Sequence, residues 1–146
     1  MPLVLEHFKR SLDALERSLG AMQKNAGHLH SDVVEAIEAG IIQHFEVSYE
    51  LSWKLMKRWV EEKGTVSLVD GLSRRELFRV AVEQRIIESV KIWMEFHSGR
   101  NSSSHIYDTE TAAEVLSIAK NFLPAGKALL YFLENLLILI KQLILG

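Results

Sequence analysis

The sequence predicts an all-α fold, an antiparallel up-and-down bundle of four to five helices. Apolar residues recur every three or four positions along most of the chain, the period that lines one side of a helix. No sustained period-two alternation appears, and no Asn-Gly or Asp-Gly turn joins two such runs into a hairpin. The 146 residues, 48% apolar and 25% charged, are the size and composition of one globular domain, read here as residues 1–146.

Leu5, Phe8, Leu12, Leu15, Leu19 and Met22 alternate in steps of three and four and define the first helix. "NAGHLH" breaks it, with Gly27 as the stop. The second helix is expected to start near Ser31 or Asp32, with Asp32 and Glu35 as a capping box. It runs to about Lys63, stops at Gly64, and presents Val34, Ile37, Ile41, Phe45, Leu51, Leu55 and Trp59. At about 45 Å it would be the spine of the domain. The loop "GTVSLVDGL" follows, then "SRRE", a capping box from Ser73 to Glu76 that opens a third helix to about Arg85. A fourth is expected from about Glu88 to His97, with Ile92, Trp93 and Phe96 on its apolar side. Asp108 or Thr109 caps a fifth. Pro124 is expected to kink or end it, since proline lacks the amide hydrogen and clashes with the preceding turn.

A net charge of −2 argues against holding nucleic acid by charge alone. The chain has no cysteine, so thiolate chemistry is excluded. "MPLVLEHFKR" lacks the pattern of a signal peptide, and a cytoplasmic location is expected. Glu134, Asn135 and Lys141 interrupt "ALLYFLENLLILIKQLILG", so the segment reads as a buried helix or an oligomer face, with no membrane span expected. His28 and His30 have no Cys or carboxylate cluster around them, and no glycine-rich phosphate loop follows a strand, so neither a metal nor a cofactor is expected. His7, His44 and His97 have no motif around them. Arg74, Arg75, Arg79 and Arg85 form a basic patch that either meets phosphates or an acidic partner or only solubilises the third helix.

Two places carry polar chemistry beyond what solubility needs. In "QHFEVSYELSWK", Gln43, Glu46, Glu50, Trp53 and Lys57 line one helix face, and Lys54 follows Glu50 by one turn. This is either a solvated face or the wall of a cleft. Tyr49 and Trp53, large aromatics beside the carboxylates, fit the cleft. The second place is "GRNSSSHIYD", which reads as a junction between helices or as a site. In a helical backbone Arg100, Ser104 and Tyr107 share a face, with His105 next to it. Arginine's planar fork suits phosphate, and histidine transfers protons near neutral pH. Together they are the parts of a metal-free phosphodiester cleavage.

"GIIQHFEVSYELSWKLMKRWVEEKG", then "SRRELFRVAVEQRIIESVKIWMEF", then "RNSSSHIYDTETAAEV" resemble the nucleotidyltransferase substrate-binding protein family, a branch of the HEPN superfamily, over roughly residues 3 to 135. The resemblance implies a helical bundle that forms homodimers and is encoded beside a minimal nucleotidyltransferase. It implies either a substrate- or nucleotide-binding subunit of a two-component nucleotidyltransferase, or the toxin of a toxin–antitoxin pair. The toxin would be a metal-independent ribonuclease acting on RNA, with an Arg-x4-His catalytic pair, silenced when the antitoxin partner attaches AMP to the motif tyrosine. On this chain those positions are Arg100, His105 and Tyr107. Asn101 and Ser104 match the polar spacers, and Gln43, Glu46, Tyr49, Glu50, Trp53 and Lys54 match the other signature, expected to border the same cleft. His44 replaces a frequent arginine. Gly99 replaces a common acidic residue and is expected to loosen the helix end that aims Arg100. The segment beyond about residue 135 is unusually apolar and reads as extra dimer or partner surface.

Overall fold

A computed structural model describes residues 4–63 and 69–146. The fold is all-α, with no strand among the described residues. Five helices follow in order: α1 (Glu6–Lys24), α2 (Ser31–Lys63), α3 (Arg74–Glu83), α4 (Val90–Ser102) and α5 (Thr109–Leu145). Short 3-10 turns at Val69–Gly71 and Ser103–His105 precede α3 and α5. Helices α1, α2, α4 and α5 pack around one core, and the short α3 closes it against α2 and α4. Neighbours joined by short turns fold back on each other and run antiparallel. The expected stop at Gly64 and the start of "GTVSLVDGL" lie outside the described residues.

The α1 stripe is buried as its spacing requires: Phe8, Leu12 and Leu15 are in the core, with Leu5, Leu19 and Met22 packed on its edge. Gly27 turns the chain with φ of 82°, a left-handed value that a Cβ disfavours. Helix α2 starts at Ser31, as expected, but its cap is not the Asp32–Glu35 box. Ser31 is already helical and Asp32 lies in the first turn. The cap comes from His30, whose Nδ1 accepts the Asp32 amide at 3.1 Å while its carbonyl accepts that of Val34. The Ser73–Glu76 box at α3 is formed in both directions. That helix ends at Glu83, two residues short of the expected Arg85. Arg85 takes φ of 63°, its amide bonds the Val82 carbonyl, and the Ile86 amide reaches back to Ala81. This is a helix-terminating Schellman turn with arginine where glycine is usual.

Helix α4 departs furthest from expectation. It starts at Val90, capped by the Ser89 hydroxyl, and continues through Ser102. "GRNSSSHIYD" is therefore mostly helix. Gly99 is buried in it, and a Cβ there would lie 2.7 Å from Cγ2 of Ile118 on α5. The glycine lets α4 lie close on α5; it does not loosen the end of the helix. Tertiary contact carries α4 past Gly99 to Ser102, and the next two serines continue as a 3-10 turn. Asp108 caps α5 by accepting the Glu110 amide. Pro124 does not end α5, which continues to Leu145. Pro124 and Lys120, whose carbonyl loses its amide partner, are both exposed, so water can take the freed acceptor.

The core is aromatic where α2, α4 and α5 meet. The Phe122 ring on α5 meets Phe45 at 5.5 Å, Trp93 at 5.7 Å and Phe96 at 5.2 Å, each nearly edge-on. Such T-shaped pairs add about 1 kcal/mol each beyond the area they bury.

Two substitutions test these readings. Gly99→Ala should lower stability by about 1–3 kcal/mol through overpacking, and by much less in an Ile118→Ala background, read by chemical denaturation. Arg85→Gly should raise stability by about 1 kcal/mol by relieving the left-handed backbone, seen as a higher Tm.

Candidate functional site

The polar residues of α2 and α4 meet in one connected cluster. Glu46, Glu50 and Trp53 follow at steps of four and three and line the α2 surface opposite α4. From α4, Arg100 reaches across to both carboxylates. Its Nη1 lies 3.0 Å from Oε2 of Glu46, and its Nε lies 3.4 Å from Oε1 of Glu50. The second approach is an ion pair without hydrogen-bond alignment, and Nε is buried. All three side chains are about one-third exposed. The hydroxyl of the buried Ser103 accepts from Arg100 Nη1 at 3.2 Å and donates to Oε2 of Glu46 at 2.8 Å, with the Arg100 carbonyl as its alternative acceptor. Gln43, Glu46, Val47, Glu50, Leu51 and Arg100 line a shallow, open pocket of about 330 Å³.

Behind this clamp, Oε2 of Glu50 accepts from Nε1 of Trp53 at 3.1 Å. The guanidinium of Arg74, the first residue of α3, covers the Trp53 ring 3.3 Å from its centre, a cation–π stack that joins α3 to the cluster. Lys54 lies 5.8 Å from the same ring centre and forms no ion pair with Glu50. Lys57 pairs with Asp70 at 2.6 Å, tying α2 to the turn before α3, and that hydrogen bond raises its pKa.

Tyr49 faces the core, not the cleft: it is 1% exposed, and its hydroxyl lies 2.9 Å from Nδ1 of His97. Asn101 Nδ2 approaches Nε2 of the same ring at 3.4 Å. A neutral imidazole has one donor and one acceptor. With Asn101 donating to Nε2, the Nδ1 hydrogen goes to the Tyr49 oxygen. Burial drives the Tyr49 phenol well above its ordinary pKa, with Arg74 opposing. Burial, helped by Arg74 and opposed by Glu50, holds His97 below its ordinary value. Burial also lowers the pKa of Arg74.

His105 and Tyr107 do not join the cluster. Both are exposed, Tyr107 completely, and neither side chain makes a hydrogen bond or ion pair. Five helical residues rotate the chain by about 140°, so α4 and the following turn direct Arg100 toward α2 and His105 away from it. Ser104 bonds only the Asn101 carbonyl, at 3.4 Å. Among the described residues no three His, Asp or Glu side chains converge as metal ligands do.

His97, Arg74 and Ser103 were not singled out as site residues from the sequence. Some signal was there: His97 precedes Arg100 by three and Asn101 by four, the spacing of one helix side, provided the helix continues past "SG". Arg74 directly follows the Ser73 cap, which fixes it at the entrance of α3.

The His97 shift has a consequence for stability. The unfolded chain takes up a proton near pH 6.5, before the folded one does. Stability should therefore fall as pH drops below about 6.5 toward the lower folded value. The slope in that window should flatten in His97→Asn, measured by urea unfolding at successive pH values.

Comparison with known proteins agrees with this architecture. The family model described as nucleotidyltransferase substrate binding protein like matches residues 3–135. The chain is 33% identical over 101 residues to a Haemophilus influenzae protein named probable ribonuclease HepT, covering 68% of this chain and 69% of that one. A solved structure from Haemophilus influenzae, described as revealing the fold of a substrate binding domain of a nucleotidyltransferase, matches with a TM-score of 0.84 at 28% identity, covering 90% of this chain and 99% of that one. With the helical fold and the joined α2 and α4 motifs, these matches place the chain in the nucleotidyltransferase substrate-binding protein family, of HEPN type.

Proposed function

We propose that this chain is the toxin of a type VII-like toxin–antitoxin pair: a metal-independent ribonuclease silenced when its nucleotidyltransferase partner transfers AMP to Tyr107. The family itself implies a nucleotidyltransferase partner. The observation that carries the finer reading is the contrast within one motif. Arg100 is anchored by two carboxylates and a serine, while His105 and Tyr107 stand in solvent with unpartnered side chains.

The exposed imidazole of His105 can take the proton of a ribose 2′-hydroxyl. The 2′-oxygen then attacks the adjacent phosphorus, forming a 2′,3′-cyclic phosphate, and the 5′-oxygen leaves with a proton from a second acid. One His105 cannot hold both roles in a single step. A homodimer supplies a second His105, and it lets the His105 of one copy approach the Arg100 of the other, which in one chain point apart. Arg100 would then steady the charge building on the phosphate. Arg75, Arg79 and Lys91 rim an open groove of about 580 Å³ between α3 and α4. On α4 its floor, Lys91, Met94, Glu95 and Ser98, recurs at the period that leads on to His105. In the silencing step the Tyr107 oxygen gives up its proton to solvent and attacks the α-phosphorus of ATP, the bond from that phosphorus to the bridging oxygen breaks, and pyrophosphate leaves. The adduct places a phosphate two residues from His105, where it repels RNA phosphate.

One observation favours a second reading, a non-catalytic substrate- or nucleotide-binding subunit. Glu46 and Glu50 neutralise Arg100, and the cluster borders a pocket. Expression alone separates the two, arresting growth for a toxin and leaving it unchanged for a binding subunit. His105→Ala and Arg100→Ala should each reduce RNA cleavage by at least a hundredfold, with helical circular dichroism retained for His105→Ala. Equal cleavage by wild type and His105→Ala overturns the ribonuclease reading. After co-expression with the nucleotidyltransferase, intact mass should rise by whole AMP units, and Tyr107→Phe should abolish the rise.

A further inference from the structure

The end of α5 is the most anomalous surface of the molecule. Leu133 is its last buried residue, yet the helix continues to Leu145, about 18 Å further. Eleven large apolar side chains are exposed among the described residues, and six of them are Tyr131, Ile138, Leu139, Leu143, Ile144 and Leu145. Three of them, Tyr131, Ile138 and Leu145, lie on one side of the helix and expose on the order of 400 Å², about half of the roughly 800 Å² that each partner contributes to a stable interface. A solvated patch of that size marks an interaction surface. Its outer part lies beyond residues 3–135, the portion shared with the family.

A lipid bilayer is the first occupant to test against this geometry. By length and composition α5 qualifies as a spanning helix, although the charges in it argued otherwise at the sequence level. Its first two-thirds, however, supply Val115, Ala119, Phe122, Leu129 and Leu133 to the bundle core. Leu136, Leu137 and Ile140 still pack on the core, so only Lys141–Leu145, about 7 Å of helix, projects past it, against the roughly 30 Å of a hydrocarbon layer. The projecting part has a single cation, Lys141, and so lacks the basic side that holds an amphipathic helix on anionic lipid.

A second copy of this chain fits better. Tyr131, Glu134, Ile138, Lys141 and Leu145 recur at steps of three, four, three and four, and all five are exposed. They form one outward stripe, and the stripe is self-complementary. A two-fold axis at Ile138 exchanges Tyr131 with Leu145, seven residues away on either side. The same axis sets Glu134 of one copy opposite Gln142 of the other, one residue from its Lys141, twice. Parallel pairing would instead set Glu134 on Glu134 and Lys141 on Lys141, which like-charge repulsion disfavours. We infer that residues 131–145 form a self-association surface in which two copies of α5 pack antiparallel about Ile138, an isologous contact. This contact is separate from any that joins Arg100 and His105, and it does not depend on the ribonuclease reading.

The test is the molar mass of the full chain by light scattering and sedimentation. Ile138→Asp, at an outward half-exposed position, should halve the mass while helical circular dichroism is unchanged. Glu134→Lys should weaken association at least tenfold, and Glu134→Lys with Lys141→Glu should restore it. The natural chain has no cysteine, so Ile138→Cys should oxidise to a disulfide-linked dimer while Val47→Cys, exposed on α2, should not. A mass unaffected by Ile138→Asp overturns the inference, as does a wild type that is monomeric at high micromolar concentration. Failure of the double reversal to restore association rejects the antiparallel register. Flotation of the wild type, but not of Ile138→Asp, with phosphatidylglycerol vesicles would assign the surface to lipid instead.

Discussion

The rest of the structure depends on the packing around Phe122. Its ring is fully buried on α5 and is met edge-on by Phe45 of α2 and by Trp93 and Phe96 of α4. Trp93 in turn touches Phe78, which brings α3 into the same cluster. Four of the five helices are therefore joined in one aromatic cluster, three of them through Phe122 itself. Interiors packed at crystal density transmit small displacements, so the polar cluster one layer above inherits its spacing from these rings. Tyr49 is the link between the layers, since its ring packs on Phe45 and Phe122 while its hydroxyl meets His97.

The position of Arg100 follows from that packing together with one missing side chain. Gly99 lets α4 lie against Ile118, and the next residue then points at Glu46 and Glu50. An acidic residue at position 99 would meet Ile118 before it could serve any electrostatic purpose. The two carboxylates cannot swing away freely. Glu50 is held by Trp53, whose face Arg74 covers, and Glu46 is held by the buried Ser103. Charges so held are screened by salt less than exposed pairs are. Arg100 is accordingly a fixed cation in a locally neutral setting.

Elements governed by local rules were legible in the sequence. The α1 stripe, the Ser73–Glu76 box and the Asp108 cap involve residues within one or two turns of each other, and each formed as read. Misplaced boundaries were those set by distant contact. Helix α4 runs past Gly99 to Ser102, and a 3-10 turn follows, because Gly99 and Ser103 are held by α5 and α2. Pro124 fails to end α5 because the loss falls on the solvent side. In the site, Glu46, Glu50 and Trp53 showed in the sequence as one face. His97, Arg74 and Ser103 did not, because their partners lie on other helices, and no spacing along the chain records that.

The same rigidity bears on what can happen at the motif. Ser103 is bonded both to Arg100 and to Glu46, so the 3-10 turn that starts with it cannot rotate without breaking the clamp. His105 closes that turn, and Asp108, whose amide bonds the His105 carbonyl, starts α5. The outward direction of His105 is thus set by the contact that holds Arg100 inward. A phosphate that met both groups from one chain would have to break two ion pairs and unwind the turn. A phosphate held between two chains would need neither. It would find a preset imidazole on one side and, on the other, a guanidinium whose orientation is already fixed. Under the ribonuclease reading proposed above, preorganisation of this kind favours a site completed by assembly over one that closes within a single bundle.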